Sequence, residues 1–202
     1  MYIPPSHLPD EWSDILGFIK KYNFATLISK GESNLVATHL PFNVLAENET
    51  YFLQGHLSKA NPQFESIVDQ EVMVIFMAGH HYISPSWYNH RNVPTWNYIA
   101  IHVYGKCKRI EGERLLQHLD SLMNYHEQIV DFPQEMKDIP KNIFNKDLKG
   151  LYGIEIQIDR IEAAYKLSQN RDDESYQNVI KSLEKINTDH SNFIAIEMKK
   201  RR

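Results

Sequence analysis

Apolar residues recur at Trp12, Ile15, Ile19 and Tyr22, the spacing of one face of an α-helix, and Asp10 stands where an N-cap would. After Asn23 the period changes. FATLIS (24–29), NLVATHLPFNVL (34–45) and YFLQGHL (51–57) are rich in β-formers and are separated by the turn-like links KGES and AENET, which predicts an antiparallel meander. KANPQFESI (59–67) predicts a short helix with Pro62 in its first turn. EVMVIFMA (71–78) is a continuous apolar run of buried-strand length, and YIAIHVYGKCKRI (98–110) alternates as another strand. Leu115, Leu116, Leu119, Leu122, Met123 and His126 mark a long amphipathic helix. Residues 131–150 read as a polar connection with little periodicity. LYGIEIQIDRIEAAYKLS (151–168) alternates strongly, as a final strand or hairpin. From Asp172 to Lys200 the chain predicts helix, acids first and lysines last, as the helix dipole favours.

Six strands on mostly short links suggest an antiparallel barrel with helices packed outside, of mainly β or α+β class. The rim of such a barrel is a common place for a flat ligand. A chain of 202 residues buries enough surface to need neither disulfide nor metal. The single cysteine, Cys107, excludes an internal disulfide, fits a reducing compartment, and reads as a small buried hydrophobe rather than a nucleophile. The N-terminus has no signal-peptide pattern and no apolar run approaches the ~20 residues of a membrane span, so a cytoplasmic protein is expected. The net charge of −4 argues against a general polyanion binder.

The charge distribution is uneven. From Val72 to Ile110 there is no acid, although 26 acids in 202 residues would place about five there. Within that window, His80 to Gly105 holds two of the three tryptophans, four tyrosines and four of the ten histidines. His80-His81 has no nearby acid or cysteine to complete a metal set, and no H-E-x-x-H or C-x-x-C occurs, so no metal site is expected. No G-x-S-x-G, G-x-G-x-x-G or Walker A loop is present either. A bound phosphate must then be held by side chains and helix N–H groups. GHLSKANPQF (55–64) offers Lys59 beside a helix start, which is either an anion site or an ordinary N-cap with an exposed lysine. KLSQNR (166–171) is a basic, polar cluster or a solvated turn. VPTWNY (93–98), stiffened by Pro94, is a shelf for a planar ligand, or else part of a core or subunit interface.

Taken together, ATHLPF (37–42), GHLSKANPQF (55–64), YISPSWY (82–88), VPTWNY (93–98), HVYG (102–105) and KLSQNR (166–171) resemble the PaiB-type FMN-binding negative transcriptional regulators. The chain departs from that family at Ala78-Gly79, where Gly-Pro is expected, and in a short NHRN link. The resemblance implies a six-stranded split β-barrel over residues 1–170, a C-terminal helical segment (171–202) packed on the same domain, and a homodimer with FMN in a groove between subunits. It implies that Thr38, His39 and Leu40 flank the flavin ring. Ser58, Lys59 and Asn61 face the ribityl chain and phosphate, and His56 is a further cofactor-binding residue. Thr95, Trp96 and Asn97 close the pocket from the other subunit, and Lys166, Gln169 and Arg171 add polar contacts. Lys59 and Ser58 are expected to hold the phosphate, with Arg171 as a third contact. Omission of carboxylates from the groove would then follow from the anionic ligand.

The function implied is an FMN-binding repressor of protease synthesis and sporulation. The alternatives are an FMN-dependent oxidoreductase with an indirect regulatory effect, or a haem-binding protein of the same barrel class. No helix-turn-helix and no basic helix with interleaved aromatics occurs, so sequence motifs do not support direct DNA reading.

Overall fold

The computed structural model describes residues 1–9 and 11–202, so Asp10, the expected N-cap, lies outside the described residues. In chain order the elements are α1 (Trp12–Lys21), β1 (Phe24–Lys30), β2 (Leu35–Pro41), β3 (Asn43–Glu47), β4 (Thr50–Ser58), α2 (Gln63–Ile67), β5 (Glu71–Ile83), β6 (Thr95–Ile110), α3 (Gly112–Glu127), α4 (Lys141–Leu148), β7 (Leu151–Lys166), α5 (Asp173–Ile186) and α6 (Asp189–Lys199). The class is mixed α+β.

The sheet has seven strands rather than the expected six, in the order β2-β1-β5-β6-β7-β4-β3, and it does not close on itself. The extra strand comes from a break in NLVATHLPFNVL. Before the break Pro41 pairs with Phe24 of β1; after it Asn43 pairs with Gln54 of β4. Pro41 has no N–H to give, and the Phe42 N–H leaves the ladder to donate to the Asn23 carbonyl at 2.9 Å. With its ring buried, Phe42 hands the chain from one partner strand to another. No ladder joins β2 to β3.

Three further expectations change. The strand starting at Glu71 runs on to Ile83, so His80 and His81 are strand residues rather than loop residues. The connection 131–150 contains α4, which the sequence hides because Ile143, Phe144 and Leu148 are too few to show a period. The C-terminal helix is two helices. Asn187 takes the left-handed conformation that ends α5, and Thr188 caps α6 through a reciprocal pair of hydrogen bonds with Ser191.

The chain forms two compact units, and β5, β6 and β7 contribute residues to both. The first comprises Met1–Gly17, Phe76–His102 and Glu162–Arg202. Its core includes Ile83, Ile99, Leu167, Val179, Leu183 and Ile194, and the buried Tyr176 hydroxyl donates to the Met198 carbonyl at 2.8 Å, tying α5 to α6. The second comprises Phe18–Ile75 and Val103–Ile161. Its core includes Leu27, Leu53, Ile67, Val74, Val103 and Ile154. Cys107 is fully buried there, and burial pushes its thiol up to about 12, which makes it inert as a nucleophile at neutral pH. Among the described residues no helix is long and apolar enough to cross a membrane.

Two glycines give opposite expectations. At Gly105 a Cβ would sit 1.8 Å from the Gln157 carbonyl oxygen, a backbone atom that cannot step aside. Gly105→Ala should therefore destabilise by about 4 kcal/mol or more. Gly17 lies exposed in α1 with nothing within 4 Å, so Gly17→Ala should stabilise by about 1 kcal/mol through helix propensity. Urea midpoints of the two variants should move in opposite directions. A shared direction would mean that the β6–β7 approach is looser than described.

Candidate functional site

In the second unit the strand pleat sorts the residues that resemblance assigned to the flavin ring. On β2, Val36, Thr38 and Leu40 share one face, while Leu35, Ala37 and His39 share the exposed other. Thr38 and Leu40 therefore cannot present side chains together with His39. Leu40 is a core residue, and His39 pairs through Nδ1 with the Thr26 hydroxyl at 3.0 Å. Thr38 and Asn61 do meet: the Asn61 carboxamide donates to the Thr38 hydroxyl at 2.9 Å, and that hydroxyl donates to Gln63 Oε1. Buried Gln63, which the sequence did not single out, also donates to the Ser29 hydroxyl at 2.9 Å and to the carbonyl of Val36 at 3.2 Å.

This network uses up the helix start. Pro62 has no N–H, the Gln63 N–H goes to Asn61 Oδ1 at 3.0 Å, and the Phe64 N–H goes to the Asn61 carbonyl at 3.2 Å. The free N–H groups expected for an anion are already engaged. Ser58 accepts the Ala60 N–H at 3.2 Å, and Lys59 is exposed with its ammonium 5.0 Å from the centre of the Tyr152 ring. His56 is engaged by the buried His118 of α3, Nδ1 to Nε2 at 3.2 Å.

In the first unit a different set converges. On β6, Thr95 and Asn97 point to one face and Trp96 to the other. Thr95 and Asn97 line a cavity of about 200 Å³ together with His7, Lys166, Ser168, Asn170 and Arg171. Ser168 sits at φ 62° in the turn after β7, and its hydroxyl is within 3.0 Å of the fully buried Asn97 carboxamide, which fixes the turn against the strand. Gln169 serves the same turn, accepting the Leu167 N–H at 2.7 Å and donating to the Tyr165 carbonyl, so it holds the loop rather than lining the cavity. Sequence reasoning missed His7, Ser168 and Asn170. The last two stood inside KLSQNR, but nothing in the local pattern marks His7.

The electrostatics of this cavity are one-sided. Lys166 donates to the neutral Thr95 hydroxyl at 2.7 Å, and the Arg171 guanidinium lies 4.9 Å from the centre of the Tyr88 ring with its Nε buried and lacking any hydrogen-bond partner. Among the described residues no carboxylate lines the cavity. Two cations, two carboxamides and two hydroxyls around a small space can accept a compact anion with charge-assisted hydrogen bonds. Cavities that enclose a whole drug-sized ligand run to about 300–1,000 Å³, so this one suits a phosphate and the chain next to it but not a tricyclic ring. Trp96, on the opposite face, is 51% exposed and lies against His80 and Tyr82, ring centres 5.8 and 6.0 Å away.

The α+β fold is similar to that of solved proteins whose names record flavin. The FAD and heme binding protein from Mycobacterium smegmatis superposes with a TM-score of 0.60 at 14% identity, covering 78% of this chain and 72% of that one. The flavocytochrome Anf3 from Azotobacter vinelandii gives 0.59 at 15% identity, covering 84% and 74%. At these identities the likeness is one of fold. Sequence goes further: residues 1–160 match the family described as "Putative FMN-binding domain". The protease synthase and sporulation protein PAI 2 of Bacillus subtilis is 36% identical over 185 residues, covering 91% of this chain and 89% of the relative. The chain belongs to the PaiB-type FMN-binding family, and FMN is its cofactor.

The His56–His118 pair yields a pH dependence. Burial, and then the neighbouring His56, hold His118 down to about 4, and burial lowers His56 as well. Asn43 donates to the His118 carbonyl at 3.1 Å and lies 3.4 Å from its Nδ1, a geometry that suits a neutral ring. The unfolded chain binds its proton near pH 6.5 and the folded chain only near 4, so stability is complete above 6.5 and is lost as pH falls through that interval. The expected loss from this group is roughly 3 kcal/mol at pH 4. Chemical denaturation between pH 7 and 4 should show that slope, and His118→Gln should flatten it. An equally steep slope in the variant would put the effect elsewhere.

Proposed function

We propose that this protein is an FMN-binding negative regulator of protease synthesis and sporulation, a cytoplasmic homodimer that holds FMN by its phosphate at Lys166 and Arg171. The observation that carries the reading is the pair of cations facing a cavity with no carboxylate among its described lining residues. Placing two positive groups there without counter-charge is unfavourable unless an anion completes the set. FMN, when bound, supplies a ring able to take one or two electrons. This chain's residues supply position: Lys166 and Arg171 the charge, Thr95 and Asn97 the polar wall, Ser168 the fixed turn. The regulatory half of the reading rests on similarity to the Bacillus subtilis protein, whose name couples protease synthesis to sporulation. With a net charge of −4 and no reading-helix motif, output through a partner or a small molecule is favoured over direct base reading. Trp96, half exposed beside Tyr82, supports pairing with a second copy.

Riboflavin, the same ring without phosphate, is the internal control. Wild type should prefer FMN by at least about tenfold, the worth of one charge-assisted contact. Lys166→Ala or Arg171→Ala should remove most of that preference and leave riboflavin affinity unchanged, whereas Lys59→Ala should leave the preference intact. The reverse result would return the phosphate to the start of α2. Sedimentation at micromolar concentration should give the mass of two chains, and a folded monomer would remove the dimer from the reading.

A further inference from the structure

We propose that His7 is a third, titratable contact for the FMN phosphate, taking up a proton as FMN binds. The proposal rests on the reading that the phosphate occupies the Lys166–Arg171 cavity. His7 ends a short 3-10 turn, Pro5–His7, whose backbone is set by Pro4 and Pro5 and by the His7 N–H donating to the Pro4 carbonyl at 2.9 Å. That rigid turn carries an imidazole from a segment remote in sequence to the wall of the cavity, where it is half-buried. Among the described residues of the first twelve, His7 alone lines it.

Among the described residues that line the cavity, the charges around His7 are all of one sign. Lys166 faces it from the end of β7 and Arg171 from the turn that follows. β6 contributes Thr95 and Asn97, the same turn contributes Ser168 and Asn170, and none of these titrates. In the protein alone, burial and then the Lys166 charge hold His7 below its ordinary range, so the ring is neutral at neutral pH. A dianionic phosphate among the three side chains reverses the balance, because the nearest charge to the ring is then negative. Lysine and arginine are already charged near neutrality, so His7 is the cavity group whose charge can change there. Protonation converts a neutral hydrogen bond into a charge-assisted one. By linkage, FMN binding must then draw a proton from solvent, and FMN affinity must weaken as pH rises. Riboflavin, lacking the phosphate, should do neither.

The phosphate's own ionisation cannot imitate this. Its second pKa is about 6, so at pH 7.5 free FMN is already nearly all dianion, and binding the dianion releases protons rather than taking them up. The experiment is isothermal titration calorimetry at pH 7.5 in two buffers of different ionisation heat, with FMN and riboflavin. The proteins are wild type, His7→Gln, His7→Asn and Lys166→Ala. Proton uptake is expected with FMN on wild type alone of the first three, none with riboflavin, and about a tenfold loss of FMN affinity in both His7 variants with riboflavin affinity unchanged. If the His7 variants bind FMN as wild type does, or still take up the proton, His7 has no part, and loss of preference in Lys166→Ala shows that the cavity reading survives. If the His7 variants lose both ligands equally, His7 is structural and the proposal is overturned. If Lys166→Ala keeps the full preference for FMN, the cavity reading fails and the proposal fails with it.

Discussion

On β6 the backbone pleat sends Thr95 and Asn97 to one face and Trp96 to the other, and on β2 it separates Thr38 from His39 in the same way. The constraint is geometric and admits no compromise within a strand. Three-residue motifs such as Thr-His-Leu or Thr-Trp-Asn read as single sites in sequence, yet their side chains serve opposite surfaces. What acts together is decided across strands and turns. Thr95 joins Lys166 by a 2.7 Å hydrogen bond, and Asn97 joins Ser168, because β6 and the end of β7 present the same face there. The residues between them, Trp96 and Gln169, are spent on an exposed aromatic surface and on the turn itself.

Charge completes what the pleat begins. The chain is acidic overall, and several of its cations have carboxylate partners. Arg114 is an example, bridging Glu47 and the buried Glu155. Among the described residues no carboxylate lines the cavity that Lys166 and Arg171 share. The acid-free run from Val72 to Ile110 supplies two of the cavity's walls, Thr95 and Asn97, so the missing carboxylates have a local meaning that the net charge conceals. A single carboxylate among these residues would pair with Lys166 or Arg171 and cancel the field available to an anion.

Periodic elements were legible in the sequence, because burial on one face imposes a repeat: α1, α3 and the alternating β6 and β7 all follow it. Breaks set by a single hydrogen bond were not. The division of β2 from β3 depends on where one N–H, that of Phe42, finds its acceptor, and no composition signal carries that. The helix start at Pro62 looked like an anion site because N–H groups at helix ends are generally free, but Asn61 turns back and takes them. Of the candidate site, KLSQNR and the Thr and Asn of VPTWNY were visible as polar residues in odd places. His7 was not, because a half-buried histidine in a proline-rich leader resembles any other surface residue until the fold brings it to Lys166.

The proposed anchor limits the signal it can carry. The phosphate of FMN keeps its charge whether the ring is oxidised or reduced, so a cavity that gains its affinity from phosphate binds both forms about equally. A ligand shifts a conformational equilibrium only by its difference in affinity between states. Through Lys166 and Arg171 alone, the protein would therefore report that FMN is present and not which redox state it is in. Redox discrimination requires contact with the ring, and in this unit the exposed planar surface is Trp96 with His80 and Tyr82, on the opposite face of β6. Occupancy and redox state would then be read from opposite faces of one strand, and substitutions at Trp96 and at Lys166 should separate the two kinds of dependence.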